Sequence, residues 1–142
     1  MSRQLKKVAL KILNALGCPE TTELSITIVG DRSIRAINRT YLARDRPTNV
    51  ISFSQREGDF GAMATDMLGD VIISADTSVR EAEEGGMQPF DRLCFLLLHG
   101  ILHLCGYDHE RSGEQEAARM EKKEAELFRS LKKEGLLNPS GS

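Results

Sequence analysis

Apolar residues at Leu5, Val8, Ile12 and Leu16 recur at helical spacing with lysines on the other faces, which predicts an opening amphipathic helix stopped by Gly17 and Pro19. The next apolar stretch, "ELSITIV", alternates instead. Its β-branched residues predict a half-buried strand with Leu24, Ile26 and Ile28 on one face, ending at Gly30 and Asp31. A second helix is expected there, capped by Asp31 or Ser33, with Ile34, Ile37 and Tyr41 or Leu42 as its inner stripe. "NVISFS" and "LGDVIIS" predict two further strands, joined by "QREGDFGAMATDM", whose length suits a functional or mobile loop better than a tight hairpin. From Asp76 onward the pattern is helical. One helix runs from Thr77 to Glu84 and stops at Gly85 and Gly86, and another runs from Phe90 to Leu104. Ser112, with Gln115 three residues on, opens the last as a capping box. In that helix Ala117, Met120, Leu127 and Leu131 face inward, and the pattern assigns it no chemistry. "NPSGS" reads as a fraying tail.

These elements predict an α+β fold, a small mostly parallel or mixed sheet of three to four strands against about five helices. The 142 residues suit a single domain over 1–142, with apolar residues at 40% and charged residues at 28% as in soluble proteins. No membrane partner is expected, because the longest apolar run, Leu93 to Leu98, is far too short to cross a bilayer. The basic amino terminus is interrupted by Lys11 and Asn14 and lacks a cleavage site, so a helix is the better reading and a mitochondrial transit peptide the weaker alternative. Cys18, Cys94 and Cys105 are odd in number and lack metal-type spacing, which fits a reducing, cytoplasmic location and inert thiols. Cys105 reads as a small buried hydrophobe before it reads as a fourth metal ligand.

Charge is informative locally. A net charge of -2 hides a basic stretch, Arg32, Arg35, Arg39, Arg44 and Arg46 with only Asp31 and Asp45 for company. It also hides an acidic one from Glu57 to Asp91 in which Arg80 is outnumbered. The first could attract a polyanion and the second would repel it; two solvated surfaces are the bland alternative.

The three histidines of the chain all lie in "HGILHLCGYDH". His99 and His103, four residues apart, share one helical face at the spacing that lets two imidazoles hold one metal. On a continuous helix His109 would sit about 15 Å from His99 and on another face. Gly106 offers a left-handed exit that would return it to the other two. Three ligands after a helix and turn, at zincin-like spacing, match a catalytic zinc with an open position, one Zn2+ per chain; three unrelated histidines are the alternative. Gly100 occupies the place of the glutamate that serves a zincin as general base, so a metzincin-like metalloprotease is a poor second reading.

At these residues the chain resembles the YbeY family, metal-dependent endoribonucleases of bacterial ribosomal RNA maturation, whose H-G-x-L-H-L-x-G-Y-D-H signature it matches at every fixed position. The likeness continues through "LSITIV", "INRTYLARDRPTNVISF" and "LGDVIIS", across about residues 24–110. It implies a single-strand-specific, zinc-dependent endoribonuclease acting in 16S 3′ end maturation and ribosome quality control. The partners it implies are ribosomal RNA and ribosomal subunits, with no DNA expected. Leu42 stands where the family often carries an arginine implicated in activity, and Arg44 is the substitute by proximity. Ser54 replaces a frequent proline, and the family's usual first strand has no counterpart before the opening helix. With two tyrosines, five phenylalanines and no tryptophan, mostly in apolar patterns, RNA binding would rest on phosphate contacts, with Arg39 and Arg46 in the track and Arg44 toward catalysis. Asp108 and Asp70 read as turn or hydrogen-bonded aspartates before they read as proton acceptors. A non-catalytic zinc-containing ribosome assembly factor is the other rival.

Overall fold

The computed structural model describes residues 2–55, 66–107 and 114–137. Among these residues five helices and three strands form: α1 (Ser2–Ala15), β1 (Glu23–Val29), α2 (Asp31–Leu42), β2 (Val50–Ser54), β3 (Met67–Ser74), α3 (Ala75–Gly85), α4 (Pro89–Leu104) and α5 (Glu114–Lys133). The architecture is α+β, as the patterning predicts. The proposed Ser112 capping box and most of the long loop after β2 lie outside the described residues.

The sheet is mixed, in the order β1-β3-β2, with β1 parallel and β2 antiparallel to the central β3. Successive residues of a strand point to opposite faces. In β2, Ser52 turns to α4, where its hydroxyl donates to the Gly100 carbonyl at 3.1 Å. Phe53 turns the other way and meets the Tyr41 ring of α2 edge-on, with centroids 5.5 Å apart. The most apolar helix, α4, packs against β2, β3, α1, α3 and α5, and Cys94, Leu97, Leu98, Ile101 and Leu102 have no exposed surface. Burying the four aliphatic side chains among them, at roughly 1.5–3 kcal/mol each, makes α4 the axis of the core.

Two expectations for α2 are corrected. Neither Asp31 nor Ser33 caps it: the N-cap is Gly30, without a side-chain cap. Asp31 sits in the first turn, where its carboxylate accepts from Ser74 Oγ at 2.6 Å, Thr77 Oγ1 at 2.6 Å and Arg80 Nη1 at 2.8 Å. It thereby ties the start of α2 to the start of α3, which Ser74 caps by accepting from the Thr77 N–H. These hydroxyl hydrogen bonds, with Arg80, lower the Asp31 pKa to about 2.

The inner stripe also differs. Ile34 is buried, but Tyr41 and Leu42 are 68% and 47% exposed, and the buried residue near the helix end is Asn38. Asn38 turns inward because the next loop has backbone groups to satisfy: its Nδ2 donates to the Arg46 carbonyl at 2.9 Å, and its own carbonyl accepts from the Ala43 and Arg44 N–H groups. Ala43 makes the exit from α2 in the left-handed region at φ 57°.

Candidate metal centre

Helix α4 starts with Pro89 at its first turn and presents His99 and His103 on the side not sealed by the core. Their Nε2 atoms face each other at 3.1 Å, with the rings 4.7 Å apart between centroids and 72° between planes. Two imidazole nitrogens, each about 2.0–2.1 Å from one tetrahedral zinc, would lie roughly 3.3 Å apart, so this pair fits such an ion.

The helix ends as its glycine suggests. Gly106 has φ 97°, its N–H reaches the His103 carbonyl at 3.1 Å, and the Tyr107 N–H reaches the Leu102 carbonyl at 3.0 Å. This is the double hydrogen bond of a Schellman ending, which reverses the chain after α4. The guanidinium of Arg119 on α5 lies 4.8 Å from the Tyr107 ring centre and braces the turn. His109 and Asp108 lie outside the described residues. Among the described residues no group of three or more potential ligands assembles; of the three expected ligands, His99 and His103 stand side by side.

Gly100 belongs to packing. A Cβ there would lie 2.7 Å from Val71 Cγ1 and 3.0 Å from Ser52 Oγ, so α4 approaches the sheet closely at the residue after the first histidine. A zincin glutamate has no room at this position. Asp70 on β3 accepts from Gln55 Nε2 at 3.0 Å. Cys94 is sealed in the core, which pushes its thiol up to about 12 and keeps it protonated.

Glu124 carried no expectation. It lies on α5 and is 8% exposed, the one buried charged side chain among the described residues, and its Oε2 is hydrogen-bonded to His99 Nδ1. A signal was present: Met120, Glu124, Leu127 and Leu131 follow the 4-3-4 spacing of one helical face, so a carboxylate stands inside an apolar stripe.

The arginines divide into two sets. Arg35 makes a paired contact with Asp45 at 2.9 and 3.3 Å, which lowers the Asp45 pKa and raises its own. Arg39 is 3.9 Å from the same carboxylate and 62% exposed. Arg44 and Arg46 are exposed and have no acidic partner among the described residues. All lie on α2 or on its connection to β2, the strand that touches α4 through Ser52 and Gly100. In the acidic stretch, Glu81 is held by Arg92 at 2.9 Å and by Asn49, and Arg80 serves Asp31.

The chain is thus an α+β protein in which a mixed three-stranded sheet is crossed by a helix carrying two converging imidazoles, with a glycine turn after them. The sequence model of the family described as "Endoribonuclease YbeY" matches residues 1–132. The chain belongs to that family. A relative from Geobacter metallireducens named Endoribonuclease YbeY is 66% identical over 134 residues, covering 94% of this chain and 89% of its own. One of the same name from Aquifex aeolicus is 45% identical over 113 residues, covering 80% and 73%. A solution structure of a Thermotoga maritima protein superimposes with a TM-score of 0.63 over 99% of this chain and 89% of that one, at 23% identity, a likeness of fold.

Proposed function

We propose that this protein is a zinc-dependent endoribonuclease of single-stranded RNA, a single domain with one zinc per chain held by His99, His103 and His109. Its place would be the cytoplasm, in ribosomal RNA maturation at the 16S 3′ end and in ribosome quality control. The observation that carries this is the pair of Nε2 atoms 3.1 Å apart beside the left-handed Gly106 turn, in a chain of the YbeY family. When bound, zinc supplies a Lewis acid at neutral pH suited to phosphodiester cleavage. The protein's own part is to hold the three imidazoles, to grip phosphates with Arg39 and Arg46, and to set the Arg44 guanidinium against charge that develops during cleavage. The close contact of Gly100 with Val71 counts against a peptidase, because it leaves no position for the usual glutamate base.

Metal content, and cleavage of labelled single-stranded RNA and of casein with and without chelator, separate the readings. The wild type is expected to hold one zinc and cut RNA alone. The His99→Ala, His103→Ala, His109→Ala triple variant is expected to lose both zinc and RNA cleavage. Zinc retained by that variant would put the site elsewhere; a metallated wild type that leaves RNA intact would remove the nuclease assignment. Mapping of ribosomal RNA ends in cells depleted of the protein tests the biological substrate, and normal mature ends would sink it.

A further inference from the structure

A carboxylate in an apolar helix stripe is costly unless a partner offsets the lost hydration. Glu124 stands in such a stripe, between Met120 and Leu127, and its Oε2 meets His99 Nδ1. The other ring nitrogen of His99 faces His103 Nε2 at 3.1 Å. A neutral imidazole has one N–H and one lone pair, and a carboxylate only accepts. If Nε2 is to bind a metal, the proton must be on Nδ1, and that is the nitrogen Glu124 engages.

We propose that Glu124 is a positioning residue for the metal site: its carboxylate holds His99 in the Nδ1–H form and fixes the ring so that Nε2 presents its lone pair toward His103. Glu124 supplies no ligand itself, since it lies on the far side of the His99 ring. The contact couples α5 to the histidine helix, so the last helix contributes to metal affinity from outside the signature segment. This deepens the metal reading above and rests on it. Partners of this kind typically change metal affinity about 10- to 100-fold when removed.

The test uses the full chain with Glu124→Leu, which removes charge and acceptor, and Glu124→Gln, which keeps an acceptor oxygen without charge. His103→Ala serves as the ligand control. Zinc affinity is measured by competition with a chromophoric chelator, and folding by circular dichroism. Glu124→Leu is expected to bind zinc about 10- to 100-fold more weakly, and Glu124→Gln to recover part of that loss. Nitrogen-15 NMR of the zinc-loaded wild type is expected to show the His99 proton on Nδ1, in slow exchange with water. If Glu124→Leu does not fold, Glu124→Gln and the wild-type spectrum still decide the matter. Wild-type zinc affinity in a folded Glu124 variant while His103→Ala loses zinc would overturn this role and leave the metal reading standing, whereas a zinc-loaded wild-type His99 protonated on Nε2 would overturn both. Zinc held as tightly by His103→Ala as by wild type would overturn both.

Discussion

Gly100 within α4 and Gly106 just past its end, six positions apart, show how backbone chemistry shapes this region in different ways: Gly106 by its torsion and Gly100 by its lack of a side chain. At Gly106 a φ of 97° lets α4 end abruptly, and the turn needs no room made for it, since a Cβ there would meet nothing within 4 Å. At Gly100 space is what is missing. A methyl group would press on Val71, which has no exposed surface and no free direction in which to move. Replacing glycine by alanine inside a helix gains about 1 kcal/mol of propensity, whereas overpacking a core costs about 1–3 kcal/mol. Gly100→Ala should therefore lose about 1 kcal/mol despite the better helix former, measured as a lower denaturation midpoint at an unchanged slope. A stabilised variant would show that α4 can lift from β3.

At the scale of elements, α2 and its connection to β2 have separable tasks. Ile34 and Asn38 bury one side and shape the loop, while the exposed arginines are free of that work. The Arg39→Ala, Arg44→Ala, Arg46→Ala triple variant should accordingly stay folded and metallated, each exposed change being worth no more than about 0.5 kcal/mol of stability. Its RNA affinity should fall. The slope of log K against log salt should shrink by about 0.7 for every single-strand phosphate contact removed. If Arg44 also meets charge in the transition state, turnover at saturating RNA falls with affinity. Wild-type affinity and slope in the triple variant would take these arginines out of the substrate path.

The whole molecule should answer to acid through Asp31, which joins α2 to α3 and has its pKa lowered to about 2 by Ser74, Thr77 and Arg80. A carboxyl group depressed from 3.8 stabilises the fold fully above about pH 4, and that contribution is lost as pH falls from about 4 toward 2. Because the group is partly exposed and screened, its contribution is about 1–2 kcal/mol. Asp31→Asn should be less stable than wild type by that amount at pH 6, and the two should converge near pH 2 in urea titrations. Parallel curves across that range would assign the loss to packing alone. The order and kind of the elements, the face shared by His99 and His103, and the glycine exit were all legible in the sequence, because periodicity and torsional preference are local properties. Periodicity reports a residue's side relative to its own helix axis and is silent about what stands opposite. Only tertiary packing decided that Glu124 meets His99 rather than solvent, that Val71 fills the space beside Gly100, and that Asn38 goes inside while Tyr41 and Leu42 stay out. Each depends on the approach of a second element, and the energy of such a contact arises only when both surfaces leave water together.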